Sequence, residues 1–263
     1  MVSYRRNKQV KLSTSLSTAS VDALHNPLPN RYLALAGSFC RRRFTSMSSH
    51  EIRHYTLADS IIGHVDHALN NIFCKQPTQR PFPAEEAGDD ATMSVEEKQK
   101  AAGLMRVNHA GEMAAQALYH GQSLIARDPS LKDKLYNASI EESDHLNWCR
   151  RRLDELGERP SVFDPLWYAG SFAIGITAGI AGDRWNLGFL EETEKQVVRH
   201  LDSHLERLPQ HDSRSRAIVE QMKVDEQGHA DLAHALGAAP LPEPVKQMMQ
   251  LTSKVLTRLA EKF

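Results

Sequence analysis

The sequence contains little cysteine, and this scarcity argues against two kinds of covalent stabilisation. Its 263 residues include three cysteines, an odd number that contains no Cys-x-x-Cys pair. We therefore expect neither a disulfide framework nor a cysteine-based zinc site, and a reducing compartment fits the composition better.

Long hydrophobic runs are also lacking, and acidic residues are almost absent from the N-terminal part. The longest uncharged apolar stretch, residues 166–182, has 17 residues, fewer than the roughly 20 that a bilayer-spanning helix needs. Residues 1–50 contain eight basic residues and one acid, whereas the remainder contains 24 basic and 32 acidic residues. The acidic character of this larger part argues against nucleic-acid binding.

These differences in composition divide the chain after residue 50. Residues 1–50 are basic, rich in Ser and Thr and without helical periodicity, so we predict a disordered leader. A transit peptide has this composition, and so does a translated stretch upstream of a start at Met47. Residues 51–263 are predicted to form one domain, large enough to bury a core without covalent staples.

Helical periodicity dominates the second part, and no alternating strand pattern stands out. Apolar residues recur at intervals of three and four, and proline or glycine separates the segments. We predict helices over residues 56–74, 95–127, 131–156, 166–182, 184–208 and 213–236, and a last helix that follows Pro244.

Two of these helices have more than one interpretation. The glycine-rich stretch 166–182 fits a buried bundle helix as well as a helix that touches lipid or an apolar substrate. The last helix has an apolar stripe and four basic residues. These features are compatible with an anionic membrane surface and equally with packing onto the bundle.

The main chemical signal is the pattern Glu-x-x-His, which brings a carboxylate and an imidazole to one face of a helix. It occurs at Glu51/His54, Glu142/His145 and Glu226/His229. Thermolysin-like zinc chemistry would require His-Glu-x-x-His, which is absent.

Spacing distinguishes two of the three pairs. Glu112 lies 30 residues before Glu142, Glu194 lies 32 before Glu226, and 52 residues separate the two halves. Each interval fits two ligands halfway along neighbouring helices. The order Glu, ExxH, crossover, Glu, ExxH is that of a ferritin-like di-iron bundle. We therefore predict an all-α, ferritin-like four-helix bundle with an apolar crossover helix and flanking amphipathic helices.

The predicted metal ligands are carboxylates and imidazoles, which suit iron or manganese. They are Glu112, Glu142, His145, Glu194, Glu226 and His229. Glu51/His54 has no matching partner helix and is interpreted as a chance occurrence. Glu141 and Asp225 each precede an ExxH glutamate, and each could orient a ligand histidine on the facing helix; a solvated acid is the alternative.

Four motifs together resemble the demethoxyubiquinone hydroxylase family over about residues 52–263. They are Arg-Val-Asn-His-Ala-Gly-Glu at 106–112, Glu-Ser-Asp-His at 142–145, Glu194 with His200 six residues later, and Asp-Glu-Gln-Gly-His at 225–229. The register against His200 favours Glu194 over the neighbouring Glu191, which is the second choice.

The resemblance implies a di-iron monooxygenase that hydroxylates a 2-polyprenyl-3-methyl-6-methoxy-1,4-benzoquinol with O2 in ubiquinone biosynthesis. It implies two iron ions per chain, bridged by Glu142 and Glu226, and leaves the reductant open. His200 and Tyr119 are candidate catalytic residues for proton or electron handling, with ordinary core residues as the alternative.

The implied substrate also suggests where the protein acts. Its isoprenoid tail points to peripheral attachment to a lipid surface, on the cytoplasmic side of the cell membrane or, alternatively, the matrix side of the mitochondrial inner membrane. Further partners would be other proteins of ubiquinone biosynthesis, with no nucleic acid. A bacterioferritin-like ferroxidase and a metal-free helical lipid-binding protein are the alternative functions.

Overall fold

A computed structural model of the chain describes residues 57–74, 78–88 and 92–263. Within these ranges there are seven helices and no strand. The predicted leader with Met47 and the Glu51/His54 pair lie outside the described residues, so those interpretations remain predictions. The helices are α1 (Leu57–Phe73), α2 (Val95–Ile125), α3 (Pro129–Glu155), α4 (Asp164–Ile180), α5 (Asp183–Arg207), α6 (Ser213–Ala235) and α7 (Glu243–Ala260).

Local sequence signals fix several of the helix ends. The Ser94 hydroxyl accepts from the Glu97 amide, and the Glu97 carboxylate accepts from the Ser94 amide, which forms a capping box before α2. Asp128 caps α3 in front of Pro129. Beyond α3 and α6, Gly157 and Gly237 have φ values of 75° and 91°, which glycine adopts without a steric penalty. All seven predicted helices are confirmed to within a few residues.

Four helices form the bundle that carries the predicted ligands. Helix α2 packs against α3, α5 packs against α6, and α3 also contacts α6. An apolar cluster that includes Leu104, Trp148, Leu201 and Met222 joins all four helices. The all-α, ferritin-like prediction is confirmed, and both Glu-to-ExxH pairs lie on neighbouring helices.

The crossover helix α4 packs along α2 through glycine. A methyl group on Gly175 would lie 2.4 Å from the carbonyl oxygen of Leu118, and one on Gly121 would lie 2.4 Å from that of Phe172. The two backbones can approach this closely only because neither position carries a side chain. The opposite side of α4 exposes Leu166 and Ile180, each 60 % accessible, so α4 is not a fully buried bundle helix.

Helices α1 and α7 flank the bundle and leave apolar side chains exposed. On α1, Ala68 and Ile72 pack inward, whereas Val65, Leu69 and two further apolar residues are exposed. Helix α7 contacts α2 and α5 and still exposes Met248. No helix among the described residues is both long and apolar enough to cross a bilayer.

Candidate metal centre

A buried cluster of three glutamates and one histidine lies between α2, α3 and α6. One ligand atom from each of Glu112, Glu142, His145 and Glu226 lies within 4.8 Å of the other three. All four side chains are almost completely inaccessible to solvent. Carboxylates are rarely buried together unless a cation or bound protons balance their charge, so the cluster has the composition of a metal site.

The two ring nitrogens of His145 face different groups. Its Nδ1 lies 3.1 Å from Glu226 Oε1 and 3.3 Å from Glu142 Oε2. Its Nε2 lies 2.9 Å from Asp225 Oδ2. The carboxylate of Asp225 therefore fixes the ring with Nδ1 directed into the cluster.

His229 repeats this arrangement on the other side of the cluster. Its Nδ1 lies 3.1 Å from Glu226 Oε2 and 3.2 Å from Glu142 Oε1. Its Nε2 lies 3.1 Å from Glu141 Oε2. Each histidine is thus held by the acid that precedes the ExxH glutamate of the facing helix, and the two glutamates occupy the middle, between both rings.

Glu194 brings the fourth carboxylate from α5. It is 1 % exposed, and its Oε1 accepts a 2.8 Å hydrogen bond from the Tyr119 hydroxyl. Its Oε2 is buried and has no hydrogen-bond partner among the residues that the structure describes. Glu191 instead pairs with Lys195 and His234 near the surface, so only Glu194 of these two faces the cluster.

Burial and the neighbouring charges shift the pKa values of the cluster residues. Burial, followed by the charges of Glu226 and Glu142, raises the pKa of Glu194 well above its usual range. Burial alone would also raise the pKa of Glu142, but hydrogen bonds from His145 and His229 outweigh it and lower the pKa. For both histidines, the surrounding carboxylates outweigh burial and raise the pKa.

The residues present fit a pair of divalent cations. The four glutamates carry four negative charges when ionised, each histidine directs Nδ1 into the cluster, and Glu194 Oε2 is an orphaned acceptor at its edge. Oxygen-rich sites with imidazole match iron and manganese. The donor set, with Asp225 and Glu141 orienting the two histidines, is therefore that of a metal-binding cluster.

Arg80 is a residue of the centre that the sequence did not reveal. Its guanidinium lies 2.7 and 3.2 Å from the two carboxylate oxygens of Asp225 and 5.0 Å from the ring centre of Trp148. Burial would raise the pKa of Asp225, but bonds to His145 and Arg80 lower it to about 2. Arg80 belongs to the segment 78–88, where no periodicity marks it.

A large apolar cavity adjoins the cluster. Its volume is about 350 Å³, and residues of α2, α4, α5 and α7 line it. Glu112 belongs both to the cavity wall and to the carboxylate cluster. The predicted residue His200 also lines the cavity, whereas Tyr119 lies beside Glu194, away from this wall. The cavity gives an apolar molecule access to the cluster next to Glu112.

Fold and site together define a ferritin-like helical bundle with a buried carboxylate and histidine centre, a class that binds two metal ions. The family model described as "Ubiquinone biosynthesis protein COQ7" matches residues 99–260. The chain belongs to this family, which confirms the resemblance inferred from its motifs.

Curated bacterial proteins extend this similarity over most of the chain. The 3-demethoxyubiquinol 3-hydroxylase of Chromobacterium violaceum is 53 % identical over 201 residues, which cover 76 % of this chain and 97 % of that protein. The protein of the same name from Laribacter hongkongensis is 53 % identical over 202 residues (77 % and 98 %). That from Xanthomonas campestris pv. campestris is 50 % identical over 213 residues (80 % and 97 %).

Proposed function

We propose that this protein is a 3-demethoxyubiquinol 3-hydroxylase, a di-iron monooxygenase of ubiquinone biosynthesis. It would hydroxylate the ring of a 2-polyprenyl-3-methyl-6-methoxy-1,4-benzoquinol with O2. The observation that carries the proposal is the buried cluster of Glu112, Glu142, His145 and Glu226 beside an apolar cavity. Family membership and the names of the relatives support the same activity. They favour it over iron storage and over metal-free lipid binding.

The proposed ligand set follows from the contacts of the two histidines. Glu142 and Glu226 would bridge the two irons, because each glutamate faces both Nδ1 atoms. Glu112 with His145 would complete one iron site. Glu194 with His229 would complete the other.

The remaining residues would prepare the site for the reaction. When bound, two ferrous ions supply the electrons that activate O2 for insertion into the ring. Asp225 and Glu141 hold the histidines with Nδ1 facing the metals. Tyr119 donates to Glu194 and fixes its carboxylate. The apolar cavity wall would position the ring beside Glu112 and keep bulk water away.

Alanine substitutions of the central glutamates test this proposal. Glu142→Ala and Glu226→Ala should each abolish hydroxylation and reduce the iron bound per chain, because each would remove a bridging carboxylate. The assays are iron content after reconstitution and quinone extraction from a complemented strain that lacks the ring hydroxylase. Glu191→Ala is the matched control on α5 and should retain both properties, whereas Glu194→Ala should lose them. Full hydroxylation by either bridging variant would reject the assignment.

We further propose that the protein attaches peripherally to the cytoplasmic side of the cell membrane. Exposed apolar side chains on the helices that flank the bundle support this location, including Leu69 and Phe73 on α1 and Leu251 on α7. The bacterial relatives favour the cell membrane over a mitochondrial one. Association with other proteins of ubiquinone biosynthesis stays a prediction.

Flotation with liposomes that contain anionic lipid tests the attachment. Leu251→Ser and Phe73→Ser should each lower the floated fraction, because burying a large apolar side chain contributes about 1.5–3 kcal/mol. Val224→Ser is the control, since Val224 is as exposed as these residues but lies on α6. Equal flotation of all three variants and the unaltered chain would contradict this orientation.

A further inference from the structure

One polar pair in the cavity wall has no part in the proposed metal centre. His204 of α5 and Asn108 of α2 both line the cavity and are 4 % and 5 % exposed. The Nδ1 atom of His204 lies 2.6 Å from Asn108 Oδ1. The pair links α2 and α5, and its two residues are 96 positions apart in the sequence.

The surroundings of the pair define which atoms donate. The amide nitrogen of Asn108 faces the sulfur of Met105 at 3.8 Å, so the amide oxygen faces His204. That oxygen can only accept, and Nδ1 therefore carries the proton. The Nε2 atom of the same ring is then a lone-pair acceptor, and it makes no hydrogen bond to any described residue.

The surroundings of His204 also favour its neutral form. Burial, assisted by Arg207 and His200, lowers the pKa of His204 to about 3. The ring is therefore neutral at cellular pH, and the Asn108 bond holds it as one tautomer. A neutral ring held in this way offers the cavity an acceptor and no donor.

This acceptor distinguishes two oxidation states of the same ring. A hydroquinone has O–H groups that can donate to Nε2, whereas a quinone has carbonyl oxygens that cannot. We infer that His204, held by Asn108, binds a ring hydroxyl of the substrate and makes the cavity prefer the hydroquinone over the quinone. The inference rests on the proposed function, because it takes a benzoquinol as the occupant of the cavity.

The position of the pair agrees with this role. Asn108 and Glu112 are four residues apart on α2, and such side chains are neighbours about 5–6 Å apart on one helix face. A ring bonded to His204 therefore lies next to the carboxylate cluster. The cavity volume of about 350 Å³ is within the range of sites that bind small organic molecules.

Anaerobic equilibrium dialysis measures the preference directly. The full chain, loaded with redox-inert zinc, is dialysed against a methoxy-methyl-benzoquinol with one isoprene unit and, separately, against the matching quinone. We expect the quinol to bind about ten-fold more tightly, the effect of one buried hydrogen bond made or left unsatisfied. In His204→Phe and His204→Gln this ratio should fall towards one, because phenylalanine offers no acceptor and glutamine offers both a donor and an acceptor.

Two further variants separate recognition from folding. Asn108→Leu leaves the imidazole in place but removes the group that fixes its tautomer, so the ratio should fall while binding persists. His234→Phe alters a surface histidine remote from the cavity and should keep the wild-type ratio. Equal binding of quinol and quinone by the unaltered chain, or an unchanged ratio in both His204 variants, would overturn the inference.

Activity of the iron-loaded chain, measured in parallel, distinguishes this inference from the proposed function. A chain that hydroxylates the quinol but binds both forms equally would reject the role of His204 and leave the hydroxylase in place. A chain that prefers the quinol through His204 but never hydroxylates it would reject the hydroxylase.

Discussion

The contact between α2 and α4 predicts that two glycines of one helix respond oppositely to alanine. Gly175 is buried against α2, where an added methyl carbon would lie 2.4 Å from the Leu118 carbonyl oxygen and 3.1 Å from the backbone nitrogen of Gln122. Gly170 is exposed on the same helix, and apart from the adjoining helix backbone no heavy atom of the described residues lies within 4 Å of its added methyl carbon. The two substitutions are chemically identical and differ only in what the methyl group meets.

The magnitudes follow from two opposing effects. Glycine to alanine within a helix favours folding by about 0.8–1.0 kcal/mol, and this is the only effect expected at Gly170. At Gly175 the clash is with backbone atoms, which cannot rotate away, and overpacking costs about 1–3 kcal/mol or more. We therefore expect Gly170→Ala to raise the free energy of unfolding by up to about 1 kcal/mol and Gly175→Ala to lower it by up to about 2 kcal/mol.

Urea denaturation followed by circular dichroism measures both free energies of unfolding, and an unchanged m-value verifies that the comparison is valid. Gly175→Ala should also lower hydroxylation, because Ser171 and Ile174 of α4 line the cavity and would move with the helix. If Gly175→Ala proved as stable as Gly170→Ala, the close approach of α2 and α4 would be wrong.

Three other perturbations test the electrostatics. Arg80→Gln should weaken metal binding up to about ten-fold in a competition titration with a chelator, because Asp225 loses the arginine that holds it. Arg151→Gln is the control: it removes an arginine that pairs with Glu85 and should leave metal binding unchanged. Because burial lowers the pKa of His204 to about 3 from 6.5, the unfolded chain takes up this proton first as the pH falls. The free energy of unfolding should therefore fall less steeply between pH 6 and 4 in His204→Phe than in the unaltered chain, by up to about 1.4 kcal/mol per pH unit. Identical slopes in the two proteins would contradict the burial of a neutral ring. Binding of divalent metal at neutral pH should acidify a weakly buffered solution that contains an indicator dye. The reason is that the surrounding carboxylates raise the pKa values of His145 and His229, whereas both histidines must be deprotonated to bind a metal. If no protons were released, the raised pKa values of the two histidines would be wrong.

The sequence predicted the bundle and its carboxylate cluster because both depend on helical periodicity. A glutamate and a histidine three residues apart share one face whatever surrounds the helix, and an interval of 30 residues leaves little freedom in how two neighbouring helices align. The crosswise bonds of Glu141 and Asp225 to the histidines follow from the same regularity, since each acid is adjacent to a ligand glutamate.

Other features could not be predicted because they depend on contacts between distant segments. Arg80 reaches Asp225 across 145 positions from a segment without periodicity, and Asn108 reaches His204 across 96. Periodicity identifies an apolar stripe but not what covers it. For this reason periodicity predicts α1 as a helix but does not indicate that its Val65 and Leu69 are exposed.

The two halves of the centre carry the same ligand types, yet their surroundings differ. Asp225, which holds His145, is 12 % exposed and is clamped by Arg80, whereas Glu141, which holds His229, is 47 % exposed. Glu112 lies on the cavity wall, whereas Glu194 is bonded to Tyr119 away from it. In the proposed arrangement, with Glu112 and His145 in one iron site and Glu194 and His229 in the other, an organic substrate in the cavity would adjoin the first site through Glu112. The repeated sequence pattern does not predict this difference, because it depends on which neighbouring helices form the cavity wall beside Glu112.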